Sequence, residues 1–158
     1  MQEIPLTASD EDVKQVIRDW IDLLAQGRFD DALAVFSPET IMGNGSVNAN
    51  RHPQWTAELL EEVIRNGGTT YEYCDSSGSR TWKIVPVENS FRQDFEDRLW
   101  IGRGLSERFG QSYCGQVHVD LPWDGERGHC VGDLTARFWL RQVNGTAMVL
   151  VLEDIHVL

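Results

Sequence analysis

The chain has 158 residues, 41% of them hydrophobic and 25% charged, with a formal net charge of −11. That length suits one α+β domain over residues 1–158, able to bury a core without disulfide or metal staples. The negative field disfavours contact with phosphate backbones, so nucleic acid is not expected as a partner. No apolar run reaches the roughly 20 residues that span a bilayer. The first residues, Met1-Gln2-Glu3-Ile4-Pro5, lack the basic start and apolar core of a signal peptide. A cytoplasmic protein away from the membrane is expected.

Charge is uneven along the chain. Residues 1–40 hold nine acids against three bases, a local sum of −6. A solvated helix face accounts for this, and a surface for a basic protein partner is the sharper alternative. Cys74, Cys114 and Cys130 are an odd set with no C-x-x-C spacing, which reads as free thiols rather than a disulfide framework or zinc site. No metal and no cofactor is expected.

In chain order, residues 10–26 form an amphipathic helix. Val13, Val16, Ile17, Trp20, Leu23 and Leu24 recur on one face. Ser9 can cap its start and Gly27 can stop it. A short second helix turns Phe29, Ala32, Leu33 and Phe36 inward and ends at Ser37-Pro38. Residues 41–54 have loop composition without the lysine of a phosphate loop. Residues 54–66 return to helical spacing, with Pro53 suited to the first position and Gly67-Gly68 to the end. Residues 70–74 and 81–87 read as strands, the second an edge strand because of Pro86. In 89–110, Phe91, Phe95 and Leu99 suggest a helix that Gly102 and Gly104 break. Residues 113–121 alternate, with Val117, Val119 and Leu121 on one face and Gln116, His118 and Asp120 on the other. Pro122-Trp123-Asp124-Gly125 reads as a turn and 126–131 as loop.

The last 26 residues carry the clearest signal. Two β-rich runs, 133–143 and 146–157, flank Asn144-Gly145, a strong hairpin sequence. A two-residue turn pairs Leu140 with Val149, Phe138 with Val151 and Ala136 with Glu153 on a core face. It pairs Arg141 with Met148, Trp139 with Leu150 and Arg137 with Leu152 on the other. That second face is apolar and needs cover, either from a second copy in a homodimer or from segment 89–110.

Helix 10–26 followed by Gly27-Arg28-Phe29-Asp30-Asp31-Ala32 and Phe36 resembles the opening of the nuclear transport factor 2-like (SnoaL-like) superfamily. The resemblance implies helices packed on a curved antiparallel sheet, a cystatin-like cone with the C-terminal hairpin central. Asp120-Leu121-Pro122, Asp133-Leu134-Thr135-Ala136-Arg137-Phe138 and Leu152-Glu153-Asp154-Ile155-His156-Val157-Leu158 together resemble an uncharacterised bacterial domain family, which implies no chemistry. Superfamily enzymes carry an Asp or His base inside the cone, and no motif here maps onto those sites residue by residue.

Two pairs could carry chemistry. His118-Val119-Asp120 and Asp154-Ile155-His156 each set an imidazole and a carboxylate on one strand face. If their strands neighbour 133–142, both pairs share a face with Arg137 and Trp139. A His/Asp general-base pair or a four-ligand metal set is then conceivable. Ion pairing of the acids with Arg137 and Arg141 across an exposed sheet is the plainer expectation. His129-Cys130 near Asp133 is a weaker thiolate candidate. Among six tryptophans, Trp20 and Trp55 suit the core, while Trp123 beside Pro122 is the one expected to be exposed. Trp20, Trp123, Trp139 and Arg137 are the candidate ligand contacts. Three functions stay open: a non-catalytic module binding a small molecule or a protein, an acidic immunity protein neutralising a basic toxin, and an isomerase- or dehydratase-like enzyme using a His/Asp pair.

Overall fold

A computed structural model describes residues 1–37, 54–66, 82–108, 111–125 and 128–157. The elements in chain order are β1 (Ile4–Pro5), α1 (Asp10–Ala25), α2 (Phe29–Val35), α3 (Ala57–Arg65), α4 (Arg92–Asp97), β2 (Leu99–Arg108), β3 (Gln111–Gly125), β4 (Gly128–Val143) and β5 (Ala147–Val157). The strands form one curled antiparallel sheet in the order β1-β5-β4-β3-β2, with the helices packed against it, an α+β fold. No described helix is long and apolar enough to cross a membrane.

α1 follows its sequence closely. The Ser9 hydroxyl accepts the Asp12 amide, and the Asp12 carboxylate accepts the Ser9 amide, a reciprocal cap. That same hydroxyl and amide hold the Asp12 carboxyl below its ordinary value. Gly27 sits at φ +71, the left-handed conformation that lets the chain leave the helix. Val13, Ile17, Trp20 and Ile21 are fully buried. α3 starts at Ala57 with Thr56 as its cap, the threonine hydroxyl accepting the Leu59 amide of the first turn. Pro53, Gly67-Gly68, the 41–53 loop and the 70–74 strand lie outside the described residues.

The inner sheet face and the helices share one core. Trp20, Phe36 and Phe138 interlock edge to face, with ring centroids 5.0 to 6.4 Å apart. Val117, Val119, Leu121, Leu134, Ala136, Leu140, Leu150, Leu152 and Ile155 complete it from the sheet.

Four expectations are corrected. Residues 82–87 form no strand: one bridge, Ile84 to Trp123, carries the segment along β3. The Lys83 carbonyl accepts the Asp124 amide and the Val85 amide donates to Pro122 beside that bridge. Segment 89–110 is helical only at Arg92–Asp97 and then becomes β2, because Gly102 and Gly104 are tolerated at a sheet edge. It therefore extends the sheet and does not cover it. Pro122–Gly125 is strand, since β3 runs through to Gly125, and 128–131 opens β4.

The fourth correction is register. The Asn144-Gly145 loop spans three residues, with φ +53 and +68 at those two, and Val143 pairs with Ala147. Leu140 then faces Leu150, Trp139 faces Val151 and Phe138 faces Leu152. One residue of shift turns the β5 side chains from Met148 to Leu152 to the other side. Met148, Leu150 and Leu152 are therefore in the main core, and Val149 and Val151 lie on the opposite face. Glu153 is an extra residue between the pairs Phe138–Leu152 and Arg137–Asp154, a β-bulge. On the outer face Tyr113, Trp139, Val149 and Val151 form a second cluster, each 5% exposed or less. The face on which a dimer was expected is thus already buried in a single chain.

Candidate functional site

Strand register builds the outer face. Trp100 on β2 pairs with His118 on β3, His118 with Arg137 on β4, and Arg137 with Asp154 on β5. The next row runs from Asp120 through Thr135 to His156. Both sequence-predicted imidazole–carboxylate pairs therefore do share this face, flanking Arg137 and Thr135. They arrive there because antiparallel pairing aligns every second residue.

The carboxylates are spoken for. Arg137 grips Asp154 with two parallel hydrogen bonds, Nε to Oδ1 at 2.8 Å and Nη2 to Oδ2 at 2.5 Å. This bidentate geometry strengthens and orients the pair. The hydrogen bonds raise the Arg137 pKa further, against the opposing effect of burial. Nδ1 of His156 lies 3.3 Å from Asp154 Oδ1, an oxygen already accepting from Arg137. The Thr135 hydroxyl donates to Asp120 at 2.6 Å, and Arg98 reaches the other Asp120 oxygen at 3.3 Å. Each carboxylate thus has an arginine partner, as cross-strand pairing predicted for Arg137. Arg141 instead meets Gln111 Oε1 at 3.2 Å and the Ser37 hydroxyl at 3.4 Å. No group of three or more His, Cys, Asp or Glu able to hold a metal exists among the described residues.

His118 stands apart from either carboxylate's grip. Its ring meets Trp100 edge to face at 5.1 Å. Burial pushes its pKa down, with the Arg137 charge and His156 adding to that and Glu153 and Asp154 opposing it. Its surroundings, an indole and a guanidinium, thus favour the neutral ring.

Trp100 itself is the residue that sequence reasoning missed. It is 53% exposed, whereas Trp123, expected at the surface, is 7% exposed. Trp123 stacks on Trp82 at 4.3 Å and donates its Nε1 to the Gly132 carbonyl at 3.0 Å. That carbonyl is presented by an irregular stretch of β4, where Gly132 and Asp133 both take positive φ. The Trp100 ring lies over Gly102: a Cβ there would fall 2.2 Å from its Cη2. The glycine that looked like a helix breaker is the floor under an exposed indole. The spacing Trp100-x-Gly102 was the available signal.

The remaining candidates scatter. Trp20 is fully buried in the core and Trp139 lies in the outer cluster. Trp55 is buried as expected and donates to the Leu152 carbonyl at 3.1 Å. Trp20, Trp123, Trp139 and Arg137 therefore line no common pocket. The Cys114 thiol is free and half-buried, 3.4 Å from the Leu140 carbonyl, and burial pushes its pKa up. The side chains of His129 and Cys130, and Cys74, lie outside the described residues.

Open clefts lie elsewhere. One of about 560 Å³ runs between α1 and α4, lined by Glu11, Gln15, Arg18, Asp22, Val87, Arg92 and Glu96. Arg18 bridges its walls by pairing with Glu11 and with Glu96 at 2.5 Å, and Lys14 joins Glu96 at 3.4 Å. Burial raises the Asp22 pKa, helped by Asp19. A second cleft, about 400 Å³, is lined by Gln111, Ser112, Arg141, Gln142 and Gly145, and a third of about 410 Å³ follows residues 2–16. Neither imidazole lines any of these three. No family model, curated protein or solved structure matches the chain.

Proposed function

We propose that this chain is a non-catalytic protein-binding module, and that its contact surface is the outer sheet face centred on Trp100, His118 and Arg137. The observation that carries the reading is the half-exposed indole of Trp100, seated over Gly102 and against His118. An aromatic ordered before contact loses little freedom on binding. Trp and Arg are the residues most enriched among dominant interface contacts. Trp100, His118 and Arg137 line none of the three clefts described above, whereas small-molecule sites are concave. The space between α1 and the sheet, where a superfamily-type ligand would sit, is filled by Trp20, Phe36 and Phe138. The helix-on-curled-sheet layout supports kinship with the nuclear transport factor 2-like folds.

A partner co-purified with the chain, then purified itself, tests this. Trp100→Ala should weaken binding about thirtyfold, roughly 2 kcal/mol, with the circular dichroism spectrum unchanged. A partner whose affinity ignores both Trp100→Ala and Arg137→Ala would overturn the assignment.

A second reading has its own observation. The solvent face of α1 exposes Glu11, Asp12, Asp19 and Asp22, while Arg18 and Lys14 are drawn to Glu96. That face suits a basic partner of the kind an immunity protein neutralises. Association through it would slow steeply with added salt and with Asp19→Lys, and would be indifferent to Trp100.

A further inference from the structure

We infer that two copies of this chain pair antiparallel along β2, joining their sheets edge to edge. The inference rests on the sheet's two unequal margins. β5 is covered from Ala147 to Leu152: β1 pairs with Met148 and Ala147, Ser37 bridges to Val151 with its amide on the Leu150 carbonyl, and Trp55 caps the Leu152 carbonyl. Among the described residues β2 has only β3 beside it, and the backbone pairing they give it runs to that side. A ten-residue edge that the described residues leave open is a template for another strand, and soluble proteins blunt or cover such edges.

The side chains of β2 point to a second copy as the occupant. Apart from Met1, the exposed large hydrophobics of the described chain are Trp100 and Leu105, both on this strand. Leu105 is 82% exposed, at the one-residue bulge between Arg103 and Ser106. A two-fold axis through Leu105 brings the two leucines together. It also sets Arg103 of each copy opposite Glu107 of the other. Closed two-fold contacts require such self-complementarity, and opposite charges facing across strands favour pairing. Arg103, held by Asp10 at 2.8 Å and by the Ala8 carbonyl at 3.1 Å, is fixed at this margin. The joined sheet would carry two Trp100 contact faces side by side, so the dimer extends the proposed binding surface without depending on it.

Sedimentation of the intact chain over a range of concentrations tests the pairing. The expected mass rises toward twice 18.0 kDa, and Leu105→Lys holds it at the monomer value with an unchanged circular dichroism spectrum. Arg103→Glu should weaken the dimer and Arg103→Glu with Glu107→Arg should restore it. Hydrogen exchange gives the second readout: β2 amides should slow as concentration rises. A monomer at every concentration overturns the inference. So does a dimer that survives Leu105→Lys, or β2 protection independent of concentration, which would mean another segment of the same chain covers the edge. Trp100→Ala separates the two proposals: it weakens partner binding about thirtyfold on the first and leaves the dimer mass intact on the second.

Discussion

His118 shows how a single side chain couples this surface to pH. Burial and the Arg137 charge make its imidazole less basic in the folded chain than in the unfolded one, whose ordinary value is 6.5. The unfolded chain therefore takes up more protons once pH drops through that value. Stability conferred by the neutral ring is complete above about 6.5, declines as acid is added, and levels off below the folded-state pKa. Urea midpoints measured across that window should fall more steeply for the native chain than for His118→Gln. Equal slopes would show that the ring's surroundings do not perturb it. Arg137 is the other residue on which the face depends. Arg137→Ala leaves Asp154, only 24% exposed, without its bidentate partner, a loss typical of hydrogen bonds to charged groups at roughly 1.5–3 kcal/mol, reduced here by solvent. The pairing of these residues was legible from their two-residue spacing. Trp100 was not, because its role comes from a neighbour across the strand gap and from a glycine two positions on.

At the scale of elements, α1 and β3 were readable for one reason. Each shows a single clean period: 3.6 for Val13, Ile17, Trp20 and Leu24, and 2 for Val117, Val119 and Leu121. β5 has no such signal. Met148 through Leu152 are all apolar and all buried, so either parity fits the sequence, and only the turn length decides. Asn-Gly serves two-residue and three-residue loops alike, and the longer one was adopted. The bulge at Glu153 then sets an asymmetric tolerance. Deleting Glu153 removes the extra residue and leaves Asp154 opposite Arg137, so the variant should fold with a modest drop in melting temperature. Deleting Val151 instead would invert the inner and outer side chains of half the strand, and the native melting transition should disappear. Comparable behaviour of the two deletions would contradict the register. At the other end, Ser9→Ala removes one arm of the α1 cap and should cost about 1 kcal/mol in chemical denaturation.

For the molecule as a whole, the helical layer and the sheet were visible in the hydrophobic pattern, while the pocket between them was not. Side-chain volume settles that question: one tryptophan and two phenylalanines occupy the available depth, and no spacing rule reports depth. One architectural fact reaches further. β1, Ser37 and Trp55 all fasten onto β5, so three separate parts of the first half wait on the last strand. During synthesis, β1, Ser37 and Trp55 would stay without their strand partner until residues 147–157 leave the ribosome. Such distant pairings also slow the search for the native state. Refolding from urea should therefore take milliseconds to seconds, slower than a helical bundle of similar length, and nascent chains stalled before Ala147 should remain protease-sensitive throughout.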